Sequence, residues 1–195
     1  MEKQMEEILE MQKKLKDIVQ RTTDNAIRLN IEVWKPINEY LGYEVSTFGR
    51  VRNAKTGRIL KPGKDNLGYH LVTLYNNRKA KTLRIHTLVA VSFMSNFEEK
   101  ICIDHINNNR GDNNLKNLRW CTYGENQYNR TIGKNNKSGT KGVSFDKSTN
   151  KWIAHIKLNG KKKHLGYHID KEDAIKARQE ASKKYFGEFA NKCEQ

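Results

Sequence analysis

Residues 101–128, ICIDHINNNRGDNNLKNLRWCTYGENQY, leave the chain few ways to fold. ICIDHI reads as a short strand, and LRWC reads as a second. Between them NNNRGDNN carries turn chemistry, because Asn, Asp and Gly tolerate left-handed backbone. Thr122 followed three residues later by Glu125 makes a capping box, so a helix should start near Tyr123. The result is a strand–turn–strand–helix unit. It brings Asp104 and His105 to the end of one strand, Asn117 to the start of the other and Asn126 about one turn into the helix.

Those residue types suit phosphodiester hydrolysis. Such a reaction needs a hard cation on the phosphate and a base that holds a water in line with phosphorus. Oxygen ligands suit magnesium, and one or two protein groups plus water suffice. Asp104 offers a charged oxygen and Asn126 a neutral amide oxygen. Neutral histidine is an apt base at cellular pH, which points to His105. Asn117 returns near His105 in a hairpin, where its amide can orient the imidazole. Singly, each has a plainer reading: Asp-His pairs are mostly surface or structural, and Asn-rich stretches are mostly turns.

The rest of the chain reads as short strands and amphipathic helices, an α+β class. In residues 2–20, Ile8, Met11, Leu15 and Ile18 repeat at 3,4,3 spacing. That seam serves either a helix packed on its own protein or a short dimerising coiled coil. From Ile31, WKPINEYLGYEVSTFGRVRN predicts strands and tight turns, with Tyr43, Val45 and Phe48 inward and Ser46, Arg50, Arg52 and Lys55 outward. LVTLY (71–75) and TLRI (82–85) flank an NNRK turn. HTLVAVSFMSN is an apolar-faced helix with Leu88, Val89, Val91 and Phe93. TIGKNNKSGT (131–140) reads as a flexible tether. Beyond it, three strands precede a helix that should stop at Gly187. The expected division is 1–30, 31–80, 81–130, a linker at 131–139, and 140–195.

HTLVAVSFMSN together with IDHINNNRGDNNLKNLRWCTYGENQYN resembles the HNH homing endonucleases of phages and their hosts. The resemblance implies a ββα-metal core flanked by a small mixed module and a C-terminal three-stranded antiparallel sheet packed on one helix. It implies that Asp104 and Asn126 bind a divalent cation, magnesium with manganese as the alternative, that His105 is the general base, and that Asn117 shapes the loop. Asn126 stands where many relatives have histidine and is a weaker ligand. His86 occupies a position usually held by histidine, as a structural group or as a phosphate or metal contact. WKPINEYLGYEVSTFGRVRN resembles a nuclease-associated modular DNA-binding domain, in which Arg50 and Arg52 either reach one phosphate strand or form a solvated basic face. Residues 140–191 resemble the ethylene-response-factor type DNA-binding domain of the APETALA family. The likeness rests on Lys141-Gly142-Val143, Trp152 to Lys157, Leu165-Gly166-Tyr167 and Phe189-Ala190-Asn191. Strand alternation turns Trp152, Ala154 and Ile156 to the helix and Ile153, His155 and Lys157 to DNA. Lys141, Ser144, Lys157, Lys163 and His164 fall at DNA-contacting positions of that family. Lysines largely replace its arginines and lack the fork that reads guanine, so phosphate affinity is expected without firm base specificity.

Charge agrees with double-stranded DNA as partner. The chain carries a formal +15, with residues 1–30 neutral, 31–130 at +7 and 131–195 at +8. The excess belongs to the two later modules, and neither shows the long basic amphipathic helix of a membrane-surface protein. No apolar run reaches the roughly 20 residues of a membrane span. MEKQMEEILEMQ is no secretory signal, so the expectation is a cytoplasmic protein of an infected or bacterial cell, monomeric or weakly dimeric through its first helix. Cys102, Cys121 and Cys193 lack CxxC spacing and are expected as reduced thiols. A non-catalytic DNA-binding regulator is the competing function. RNA readout is disfavoured because no base-stacking aromatic strand is present.

Overall fold

α1 (Glu2–Arg28) opens the chain and runs past the 2–20 expected from its apolar spacing. The computed structural model containing it describes residues 2–96, 98–133 and 135–191, apart from the side chains of Glu2, Lys3 and Lys16. Two compact units divide the chain, one of Met1–Ser95 with Arg110–Lys116, the other of Asn96–Asn109 with Asn117–Gln195.

In the first unit β1 (Trp34–Ile37), β2 (Tyr40–Ser46) and β3 (Val51–Asn53) form an antiparallel sheet in chain order. Pro36 is tolerated because β1 is an edge strand. β4 (Gly63–Lys64), β5 (His70–Asn76) and β6 (Lys79–Arg84) form a second sheet. Asn77 and Arg78, both at positive φ (47° and 63°), make the tight turn between β5 and β6. α2 (Ile85–Phe93) buries Leu88, Val89, Ala90 and Phe93, whereas Val91, expected inward, is 65% exposed. Ser46, expected outward, is fully buried, and its Oγ accepts hydrogen bonds from the backbone N–H groups of Phe48 and Arg50. A hydroxyl that satisfies a tight turn is worth more there than in solvent. His86 is buried with its ring against Tyr69, centroids 5.0 Å apart, in keeping with a structural role.

The second unit begins with the hairpin of β7 (Cys102–His105) and β8 (Leu118–Cys121), followed by α3 (Tyr123–Tyr128). The boundaries match the strand and cap signals in the sequence. β9 (Val143–Asp146), β10 (Lys151–Leu158) and β11 (Lys161–His168) then form an antiparallel sheet with β10 central. α4 (Lys171–Phe186) covers one face and ends at Gly187, φ 51°. Ala154 and Ile156 of β10 meet Ala174, Ala181 and Phe186 of α4 in two apolar clusters, the face that strand alternation assigned to the helix. Gly142 is required where it stands. At φ 68° a Cβ would lie 2.2 Å from the His155 carbonyl oxygen, which is inside contact distance.

Within the stretch read as a flexible tether, residues 136–140 form a hydrogen-bonded turn. Asn136 Oδ1 accepts from the Gly139 N–H (2.7 Å) and Ser138 Oγ (3.0 Å), and its amide donates to the Thr140 carbonyl (2.9 Å). Across it the Tyr128 ring stacks on Phe186 at 3.9 Å. The hairpin and α3 thus share a unit with the C-terminal sheet, while α2, expected in the same 81–130 segment, belongs to the other. Cys193 and the end of the expected 140–195 module lie outside the described residues.

Candidate metal and catalytic site

Cross-strand register builds the site. β7 and β8 pair so that Asp104 faces Arg119 and His105 faces Leu118. Asp104 and His105 are 5% and 4% exposed. Arg119 donates to Asp104 Oδ2 through Nε (2.9 Å) and Nη2 (2.7 Å). The same guanidinium donates to the Glu188 carbonyl and lies over the Phe189 ring, 4.0 Å from its centroid. It therefore joins Asp104 to the turn that follows α4.

Asn129, the residue capping the end of α3, holds Asp104 from the other side. It is 2% exposed, and its amide N–H₂ lies 3.1 and 3.0 Å from the two Asp104 oxygens and 3.0 Å from the His105 carbonyl. Its carbonyl oxygen accepts from Asn108 (3.2 Å) and Asn191 (3.1 Å). Asn191 also donates to the Asn129 backbone carbonyl. Asp104 Oδ2 is thus well supplied with donors, whereas among the described residues Oδ1 accepts from Asn129 alone (3.1 Å).

Asn117 governs the loop after His105. Its amide engages Asn107 at both ends, accepting from the Asn107 N–H (2.9 Å) and donating to Asn107 Oδ1 (2.9 Å), while its backbone carbonyl accepts from Ile106 N–H (2.9 Å). Asn108 then takes φ 60°, the left-handed conformation for which an Asn-rich loop is suited.

The turn of α3 that carries Asn126 is set by Thr122, which starts the helix. Thr122 Oγ1 accepts from the Glu125 N–H (3.2 Å), and Glu125 returns a bond to the Thr122 N–H (2.7 Å). Burial pushes the Glu125 carboxyl up, but the Thr122 N–H and Lys100 outweigh it and hold the pKa below the ordinary glutamate value. Because the folded pKa is depressed, this contribution to stability is full above the ordinary range near about 4.3. It is lost as pH falls through the lower folded value. Thr122→Ala should cost about 1 kcal/mol. Thermal unfolding with and without the substitution measures it, and an unchanged midpoint would deny the cap any role.

A divalent cation fits these donors. A carboxylate offers about four lone-pair positions, and Oδ1 of Asp104 retains capacity. Asn126, half-exposed on α3, carries an amide oxygen of the same hard type. No group of three or more His, Cys, Asp or Glu side chains converges among the described residues, so the candidate is a sparse site and not a structural zinc cage. Cys121 is buried and its thiol is pushed up to about 12, which keeps it protonated.

The expected DNA contacts divide into two groups. Ser144, Lys157 and His164 are exposed on the C-terminal sheet. Lys163 instead donates to Tyr185 Oη of α4 (2.7 Å), because register pairs it with the helix-facing Ile156. Lys141 donates to the Tyr128 carbonyl (2.9 Å) and so ties the sheet to α3. His155 follows a β-bulge and is half-buried, with burial, then Lys162, Arg178 and His164, lowering its pKa. Arg50 and Arg52 flank Trp34, with ring distances of 5.6 and 4.2 Å, and pair with Glu32 and Glu44. Their charge is largely answered within the module. Arg119, Asn129 and Asn191 were not singled out from sequence. For Arg119 the signal was cross-strand register, for Asn129 its place three residues after Asn126, and Asn191 stood in the sequence only as part of the Phe189-Ala190-Asn191 likeness.

Residues 84–128 match the HNH endonuclease family, and residues 32–75 match the NUMOD4 motif. Over 90 residues the chain is 41% identical to the DNA endonuclease I-HmuI of Bacillus phage SP01, covering 46% of this chain and 52% of that protein. Over 99 residues it is 35% identical to the uncharacterized HNH endonuclease L247 of Acanthamoeba polyphaga mimivirus, covering 49% of this chain and 25% of that protein. A solved structure of DNA binding and cleavage by the HNH homing endonuclease I-HmuI aligns at 32% identity with TM-score 0.47, covering 68% of this chain and 76% of that one. The chain spans about half or less of the curated relatives it matches.

Proposed function

We propose that this chain is a metal-dependent DNA endonuclease of the HNH homing type, acting on double-stranded DNA with magnesium as its cation. One observation carries the reading. Asp104, His105, Asn117 and Asn126 all arise from a single ββα unit inside the segment that matches the HNH endonuclease family. Asp104 and Asn126 would hold the cation. When bound, it stabilises the negative charge that develops on the phosphate and the leaving oxygen. His105 takes the proton of the attacking water as general base. Asn117 fixes the loop beside that base, and Asn129 fixes the carboxylate.

In this reading the C-terminal sheet with α4 is an ethylene-response-factor type domain that lies on DNA through Ser144, Lys157 and His164; a three-stranded antiparallel sheet covered by one helix supports it. Lysine-based contacts give phosphate affinity more than base choice. With six to ten such contacts, binding should fall by about 10³ to 10⁵ between 50 and 200 mM salt. The NUMOD4 segment with Arg50 and Arg52 is a second grip. The cell interior is the compartment in which such a substrate is met.

A DNA-binding protein without cleavage is the second reading, favoured by the Arg119 ion pair that already engages Asp104. Incubation with supercoiled plasmid separates the two. The nuclease reading expects conversion to nicked or linear DNA with magnesium or manganese and none with chelator. Retention of intact plasmid under every metal condition, with binding preserved, would establish the second reading instead.

A further inference from the structure

α1 carries an apolar stripe that its own unit leaves uncovered. Ile8, Met11, Leu15 and Ile18 are 52, 68, 62 and 60% exposed, and Met5 and Val19 flank them at 66 and 48%. Among the described side chains of the helix, the first to turn inward is Thr23, which is 4% exposed. Of the two sequence readings, packing on its own protein therefore does not hold for this seam. In an otherwise highly charged helix, six large apolar residues on one side are an interface face.

Charge along α1 says what covers it. Between Gln4 and Gln12 the charged residues are Glu6, Glu7 and Glu10, all acidic. Between Lys13 and Arg28, Lys13, Lys14, Lys16, Arg21 and Arg28 outnumber Asp17 and Asp24. Two parallel copies would set acidic end against acidic end and basic against basic. An antiparallel pair sets each acidic end against a basic one.

We infer that α1 associates with α1 of a second copy of this chain as a short antiparallel coiled coil. In that register Ile8 packs against Ile18 of the other copy, and Met11 against Leu15. On one flank Glu7 meets Arg21 of the other copy, twice by symmetry. On the opposite flank Met5 meets Val19, while Leu9, exposed at 60%, lies outside the seam. About two heptads make a weak interface, so micromolar association is expected. The pairing would join two copies through their first units and give one assembly two cleavage sites. It stands independently of the cleavage reading, because its test is oligomeric state alone.

Sedimentation equilibrium of the full chain over roughly 1–100 µM tests it. The expected result is a concentration-dependent rise toward twice the monomer mass. Leu15→Glu, on an exposed surface where folding is not at risk, should hold the chain at monomer mass. Glu7→Arg should weaken association several-fold, and Glu7→Arg with Arg21→Glu should restore it, since only the antiparallel arrangement opposes those two positions. A chain monomeric throughout overturns the inference. So does a dimer indifferent to Leu15→Glu, and a dimer that the charge swap fails to rescue overturns the antiparallel register.

Discussion

His105→Ala is expected to reduce DNA cleavage by about 10² to 10⁴-fold, the usual worth of a positioned general base, while DNA affinity stays within about twofold at fixed salt. The separation follows from where charge and chemistry sit. His105 ends β7, almost wholly buried, and adds no formal charge to the surface that meets a phosphate backbone. The chain's excess of +15 lies in lysines and arginines that the substitution leaves untouched. Single-turnover nicking and equilibrium binding, measured side by side in magnesium, decide it. Added imidazole should recover part of the lost rate, because the deletion leaves a space of that shape beside the reacting water. Wild-type cleavage by the variant would move the base elsewhere. Equal loss of binding and cleavage would mean that His105 holds the fold and not the water.

The ββα unit was legible because its signals are local. A capping box needs only Thr122 and Glu125, and the strands on either side of NNNRGDNN are marked by their apolar residues. The same holds for the C-terminal sheet, where Trp152, Ala154 and Ile156 share a face by strand period alone. Local patterns placed Asp104, His105, Asn117 and Asn126 on that unit, and the family resemblance suggested their roles. Neither pointed to Arg119. That residue becomes visible only when register places it opposite Asp104, and register depends on how the long loop between the strands closes.

Two of the lysines expected to contact DNA have internal partners. Lys141 and Lys163 were assigned from a strand pattern, which cannot tell a solvated lysine from one that reaches a neighbouring element. Packing decides between them. Lys141 ends on the Tyr128 carbonyl and Lys163 on the Tyr185 hydroxyl, each satisfied within the unit. Reading 131–140 as a tether met the same limit. Polar residues without apolar period are compatible with a free linker, yet Asn136 and Ser138 close a turn on themselves, and the apolar contact that docks the two sides, Tyr128 on Phe186, joins residues far apart in sequence.

That docking sets up the other large effect, at Asn129. One buried amide donates toward both Asp104 oxygens and the His105 and Ile106 carbonyls, and accepts from Asn108 and Asn191. Asn129→Ala removes all of these bonds without room for water to replace each one. Buried groups left unsatisfied cost about 1–3 kcal/mol apiece, so a loss of roughly 3 kcal/mol or more is expected. The chemistry should suffer beyond that. With Asn129 gone, Arg119 is the one remaining side-chain partner of Asp104 among the described residues, and the carboxylate loses part of the support that orients it toward a cation. Loss of a supporting bond at a metal ligand typically weakens metal affinity 10–100-fold, and manganese binding followed by calorimetry should show a fall of that size. Asn129→Asp should be no better, since it sets a second carboxylate against Asp104. Ile156→Ala is the control. It empties part of the C-terminal core, costs a comparable 2–5 kcal/mol, and should leave manganese affinity unchanged. Asn191→Ala should act in the same direction as Asn129→Ala and more weakly, because it withdraws one strut from behind Asn129. For this reason removal of residues 131–195 is expected to weaken metal binding as well as DNA affinity, where a tethered grip would have affected DNA affinity alone. If Asn129→Ala and Ile156→Ala lose stability equally and both bind manganese as the parent does, Asn129 is a folding residue only, and the C-terminal turn has no hold on the site.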